Sequence, residues 1–243
     1  MKEIKNTTNI PLLPLRGLLV YPTMVLHIDV GRERSVAALE HTMNNDRIIF
    51  LTTQKELRTE QPKEHDIYTI GTVAFVKQML KLPNGTLRIL VEGIARGKML
   101  AYREEEKFAV ADIDVLHDSL QKDTETEALM RATMTYFEKY AKSSNKVATD
   151  VMETVGAIEE PGKFADTIAS HLPLKIHEKQ EVLETISVKK RLDDLMIRLH
   201  DEQEVLNLER KISTKVKQAM ERTQKEYYLR EQMKVIQKEL GDR

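Results

Sequence analysis

The sequence predicts an α+β fold in three parts: a β-rich domain over residues 1–117, an all-α helical bundle subdomain over 118–204, and a long projecting helix over 205–243. Three observations predict it. Alternating and β-branched runs with an Asn-Gly turn fill the first part. Apolar residues at helical spacing take over after residue 123. No glycine or proline then interrupts the chain between Pro173 and Gly241.

Taking the elements in order, "PLLPLRGLLVYP" carries prolines that forbid a central helix, and "MVLHIDVG" alternates apolar and polar residues. "RSVAALEHTM" interrupts with helical spacing, Val36, Leu39 and Met43 sharing a face. "RIIFLTT" and "IYTIGTVAFVKQMLKL" return to strand composition, and "LRILVEGIARGKMLAYREEEKFAVADIDVLH" supplies about three more strands. Between these runs, Asn84-Gly85 is a strong hairpin signal, because both residue types tolerate positive φ. Read as a two-residue turn, it sets Leu82 opposite Leu87 and Leu80 opposite Ile89 on a core face. Met79 then faces Leu90 on the outer side, among Lys81, Arg88, Lys77 and Glu92. That outward Met79–Leu90 pair is either a half-buried contact or an adaptable apolar patch, since methionine repacks readily.

The helical part opens with Thr124-x-x-Glu127, the pattern of a capping box, and places Leu129, Ala132, Phe137 and Tyr140 near one face. "PGKFADTIASHLP" repeats the spacing with Phe164, Ile168 and Leu172, and Pro173 closes it. One or two long helices follow. Val188, Leu192, Leu195 and Leu199 form a first stripe. Val205, Leu208, Ile212, Val216, Ala219, Met220 and Tyr227 form a second, rotated by roughly 110° at about 100° per residue. Leu229, Met233, Ile236 and Leu240 form a third, rotated by roughly 120° again. Three such faces require the helix to bend or to change neighbours twice, the second time at the tyrosine pair Tyr227-Tyr228. Tyr227 is expected to look back toward this domain or a neighbouring subunit, and the third stripe to be exposed.

Composition excludes more than it selects. The 38 basic and 39 acidic residues balance, which disfavours nucleic acid or an anionic membrane as partner. Only the stretch past Arg210 is basic, the pattern of a solvated helix face. With no cysteine, thiolate metal sites and thiol nucleophiles are excluded, and a reducing cytosol fits. The apolar N-terminal run is broken by prolines and an arginine, so neither a signal peptide nor a membrane span is expected, and the chain reads as cytoplasmic. "GIARGKM", Gly93 to Met99, falls short of a phosphate loop, with three residues between its glycines and no hydroxyl after the lysine. Its glycines instead suggest a bulge and a tight bend. The seven histidines are scattered, and Glu104-Glu105-Glu106 reads as a solvated turn. No catalytic, cofactor or metal residue is expected in this chain.

Two stretches carry a family resemblance. "PLLPLRGLLVYPTMVLHIDVGRERSVAALEHTM" resembles the opening of Lon proteases, and "RTQKEYYLREQMKVIQKELG" is similar to the segment that leads into their AAA+ ATPase module. "ADTIASHLPLKIHEKQEVLE", between them, fits the same pattern. The resemblance implies a PUA-like β-barrel domain, a helical subdomain and a helix directed at an ATPase module. It further implies a parent that is a homohexameric serine protease, dependent on ATP and magnesium, whose Walker motifs and Ser-Lys dyad lie outside these residues. The partners implied are unfolded or damaged proteins, the chain's own AAA+ module and neighbouring subunits. Such a receptor needs shallow apolar patches, for which the candidates are Tyr21, Pro22 and Met24 in the first loop and Met79 and Leu90 on the hairpin. Tyr227, Tyr228, Leu229, Met233, Ile236 and Leu240 are the candidates for contact with another module or subunit.

Overall fold

A computed structural model describes residues 7–119, 123–144 and 147–241. Its β-region comprises β1 (Thr7–Leu15), β2 (Val25–Val30), α1 (Glu33–Met43), β3 (Ile48–Thr53), β4 (Ile70–Lys81), β5 (Leu87–Glu104) and β6 (Ala109–Leu116), with a 3₁₀ turn at Glu64–Asp66. Strand order is β2-β5-β4-β3-β1-β6, and β6 returns to pair with β5, so five strands close into a barrel with β2 attached to one side. β1 and β3 run parallel, and every other pair is antiparallel.

β5 makes the closure possible. Its first half pairs with β2 and its second half with β6, while β4 follows it from Leu87 to Lys98. Register shifts in both ladders supply the bulges that bend a strand around a barrel. Gly93 lies at one of them, as the sequence suggests, and its amide and carbonyl bond to Met24 and Thr23. A Cβ there would stand 2.3 Å from the Tyr21 carbonyl oxygen, so only glycine allows the approach. No bend ends the strand at Gly97, which runs straight on in β5 against Ile113 and Phe50.

Two larger cores and a small cluster of Ala38, Phe108 and Val110 fill this region. Ile10, Leu12, Phe50, Val73, Met99 and Ile113 fill one. Leu13, Leu39, Ile49, Val76, Ile89 and Val91 fill the other, where α1 lies on the sheet with Val36 and Met43 at its margin.

The expected hairpin register is off by one residue. Lys81 pairs with Leu87, Leu80 with Arg88, Met79 with Ile89 and Gln78 with Leu90. The loop holds three residues, Pro83 to Gly85, closed by Gly85 N–H to the Leu82 carbonyl and Leu82 N–H to the Thr86 carbonyl. Only Gly85 takes positive φ, at 84°. Proline suits the second position of a type I turn, and a following glycine in the left-handed region completes a three-residue hairpin. Leu80 therefore lies outside the core, 61% exposed.

The helical region comprises α2 (Thr124–Ser144), α3 (Thr149–Gly156), α4 (Pro161–His171), α5 (Ile176–Glu184) and α6 (Val188–Gly241). The cap of α2 sits one residue earlier than expected: the Asp123 carboxylate accepts the Thr126 N–H at 2.9 Å. Phe137, Tyr140, Phe164, Ile168, Leu172 and the first stripe of α6 form one buried cluster. The break between α5 and α6 has no glycine or proline behind it. Ser119 holds it open from across the chain, bridging to Ser187 with its amide on the Ile186 carbonyl and its carbonyl on the Val188 amide, while within the break the Arg191 guanidinium donates to the Thr185 carbonyl at 2.7 and 3.0 Å.

Candidate functional site

The first surface to consider is the outer face of β2, β5 and β4. Leu90 is half-buried between His27 and Gln78, its neighbours in the two flanking ladders. Along the same face, Leu80 and Val25 are exposed, separated by the ion pairs Arg88–Asp29 and Lys77–Glu92, both at 2.7 Å. Met79 does not join Leu90. The shifted register turns it inward, where it packs at the edge of the sheet core. The face is thus a shallow, interrupted apolar surface built on Leu90, Leu80 and Val25.

The first loop is different. Tyr21 is 1% exposed and Pro22 is buried, so neither forms an accessible patch. Tyr21 reaches across to the helical region, where its hydroxyl donates to the Lys179 carbonyl at 2.9 Å. Burial, reinforced by the charge of Asp166, pushes that hydroxyl far above the usual phenol range, so it stays protonated and keeps the proton it donates to Lys179. Met24 is half-buried, its sulfur accepting the Tyr21 N–H, and it touches both the sheet core and the helical core. These residues join the two regions.

Beside Tyr21 is a charged junction that sequence reading missed. Arg96 of β5 makes a two-pronged bond to Asp166 of α4 at 2.6 and 2.8 Å, with its Nε donating to the Leu183 carbonyl at 2.9 Å. Arg191 of α6 donates to the same Asp166 at 3.2 Å and to Asp118 at 2.6 Å. Arg96, Asp166 and Arg191 are all at most 3% exposed. Buried charges persist only when paired and hydrogen-bonded, and here the pairing draws barrel, α4 and α6 to one point. A signal existed: Asp166 interrupts the apolar face of Phe164, Ala165, Ile168 and Ala169.

The second exposed surface is the far part of α6. The first stripe is wholly buried against α2 and α4. Among the described residues, the last hydrogen bond to the body is Arg210 to the Ser143 carbonyl at 2.5 Å. Beyond it the helix continues to Gly241 as an arm, about 45 Å at 1.5 Å per residue. Val216, Met220, Tyr227, Tyr228, Leu229, Met233, Ile236 and Leu240 all lie exposed on it. Exposure of the third stripe agrees with expectation. Tyr227 does not look back at its own domain, and it stands 67% exposed. On the arm, Glu221 pairs with Lys217 and Glu226 with Arg222, each carboxylate with the base one turn before it.

Among the described residues, no three metal-ligating side chains come together, and no helix is long and apolar enough to cross a membrane.

The family model for the ATP-dependent protease La (LON) substrate-binding domain matches residues 9–201. The chain belongs to the Lon substrate-binding domain family. Its match ends at Asp201, two residues past the last buried leucine of α6. Curated relatives extend through the arm. The chain is 58% identical to the Lon protease of Brevibacillus choshinensis over all 243 residues, and 55% identical to Lon protease 1 of Bacillus subtilis (strain 168) over 242. It spans 31% of the length of each. Among solved structures, the N-terminal domain of Mycobacterium avium complex Lon protease matches 79% of this chain and 98% of its own, with a TM-score of 0.65 at 21% identity. The Lon N-terminal domain protein from Xanthomonas campestris matches with a TM-score of 0.57 at 15% identity. These two similarities establish the Lon N-terminal fold.

Proposed function

We propose that this chain is the substrate-recruiting and assembly-supporting N-terminal part of an ATP-dependent Lon-type serine protease that degrades misfolded and regulatory proteins in the cytosol. The observation that carries the reading is its division of exposed apolar surface, on a domain of the Lon substrate-binding family. One portion is shallow and interrupted, on the barrel; the other is a pair of continuous helical stripes on the arm. Unfolded proteins share exposed apolar segments, so their receptor needs patches that accept many sequences. Burying about 200 Å² gives about 5 kcal/mol at about 25 cal/mol per Å², before ordering costs. Each contact is therefore weak, and display on a hexamer would add avidity. ATP, magnesium and the peptidase chemistry would belong to the rest of the parent, and this chain alone would be inactive.

The barrel face at Leu90 and Leu80 is the proposed recruiting surface, with Met24 and Met79 contributing from its margins. The arm would join neighbouring subunits and the chain's own ATPase module through Tyr227, Tyr228, Leu229, Met233, Ile236 and Leu240. The test is capture of an unfolded model protein by the wild-type chain and by a Leu80→Ser, Leu90→Ser variant. Weakened capture with an unchanged unfolding midpoint is expected; unchanged capture would refute the barrel site. A second reading, a coiled-coil oligomerisation scaffold, is favoured by the arm stripes alone. It predicts that a chain ending at residue 204 loses both self-association and substrate capture. Under the recruiting reading, that truncated chain keeps capture.

A further inference from the structure

β2 pairs only with β5, and β1 between Leu12 and Leu15 pairs only with β3 among the described residues. The two strands line a cleft of about 260 Å³ floored by Leu13, Leu15, Ile28 and Val30. A second cavity, about 430 Å³, continues from it past Pro14, with Tyr102 and Ala109 on its wall. Arg16 and Arg32 line both, so the groove runs through the arginine pair rather than ending at it.

The two guanidinium groups are held by neutral partners. Arg16 donates to the Thr59 carbonyl at 3.2 Å. Arg32 donates to the side-chain oxygen of Gln54, itself buried and anchored through its amide to the same Thr59 carbonyl at 2.8 Å. Neither arginine has a carboxylate partner among the described residues, and Nη1 of Arg32 is buried without any hydrogen-bond partner. Burial, and then the neighbouring charge of Arg16, lower the Arg32 pKa, which marks a cation without compensation. α1 begins at the next residue, Glu33, and no side chain caps its first amides. Leaving a buried donor unmade costs free energy, and a carboxylate matches a guanidinium fork better than any neutral group.

Resting on the substrate-recruiting reading above, we infer that Arg16 and Arg32 form a subsite for the side-chain carboxylate of an aspartate or glutamate within an extended polypeptide lying in the β1–β2 groove. Unpaired strand edges on both sides offer main-chain hydrogen bonds, and alternate side chains of the guest enter the apolar floor or meet the arginines. An internal side chain fits better than a chain terminus because the groove continues beyond the pair. A monoanion fits better than a nucleic acid because Glu33, Glu60 and Glu104 stand on the same walls. Of these, Glu104 is engaged by Arg34 at 3.7 Å. The preferred guest is thus an apolar segment carrying one acidic residue, a narrower class than exposed apolar sequence in general.

The test uses the full chain and apolar decapeptides blocked at both ends, identical except for a central Glu or Gln, followed by fluorescence anisotropy. The Glu peptide should bind on the order of tenfold tighter, the range of a charge-assisted bond. Arg16→Gln and Arg32→Gln should each bring it to the level of the Gln peptide without weakening the latter. Arg16 is exposed, so its variant keeps the test open if Arg32→Gln fails to fold. Equal binding of the two peptides to the wild-type chain would overturn the inference and leave general recruitment standing. So would a preference that persists in Arg16→Gln, one that follows an unblocked C-terminus instead of the Glu, or preferential capture of a single-stranded oligonucleotide. Failure of both peptides and of an unfolded protein to bind would remove the recruiting reading as well.

Discussion

The two ends of α6 have the same kind of sequence and opposite fates. Val188, Leu192, Leu195 and Leu199 recur at helical spacing and are fully buried; Leu229, Met233, Ile236 and Leu240 recur at the same spacing and stand in water. Helical period therefore reports that a face exists and says nothing of what covers it. The near end is covered because α2 and α4 lie against it and because Arg191 binds Asp166 and Asp118 there. Past Arg210 no element of the same chain reaches the helix among the described residues. A lone helix draws little stability from propensity, so the arm's apolar stripes are the means by which a partner would fix it.

The contrast can be broken most severely at the charged junction. Asp166→Asn leaves Arg96 and Arg191 buried without their shared carboxylate, and should cost about 3–5 kcal/mol in urea unfolding. A loss under 1 kcal/mol would mean that the junction does not anchor the near end. Leu195→Ala removes a fully buried side chain from the first stripe and should cost about 2–5 kcal/mol.

A smaller effect belongs to Asp123, which Lys189 of α6 binds at 2.7 Å. That bond, with the Thr126 amide and hydroxyl, lowers its pKa from 3.8 to about 2. A carboxyl depressed on folding stabilises the fold above its unfolded pKa, and the contribution disappears as pH falls through the folded value. Wild type should therefore lose more stability between pH 4 and pH 2 than Asp123→Asn, measured by thermal unfolding across that window. Least affected is the arm: Leu229→Ser with Met233→Ser should shift unfolding by no more than about 0.5 kcal/mol in the monomer. A larger loss would show that the arm folds back on its own body.

The hairpin teaches a parallel lesson at shorter range. Asn84-Gly85 locates the turn, yet Pro83 belongs to the loop, and that one residue moves Leu80 from core to surface and Met79 from surface to core margin. The prolyl ring's fixed φ was the readable signal. Tyr21 offered no such signal, because its partner Lys179 lies 158 residues away. Nothing in a local window distinguishes an aromatic that faces solvent from one that meets a distant helix. The Arg96–Asp166–Arg191 junction was half legible, through one charged residue on an otherwise apolar face of α4, but its arginines were not.

By itself the sequence determined the change from strands to helices, the helical stripes and the family. These follow from local rules, from side-chain periodicity and from the scarcity of helix breakers. Tertiary structure alone decided the barrel's closure through β5, the burial of Tyr21 and Pro22, the break at Thr185 to Ser187 and the point at which α6 leaves the body. Each depends on which distant surfaces meet. Burial and charge pairing are properties of those meetings, and a single chain segment does not contain them.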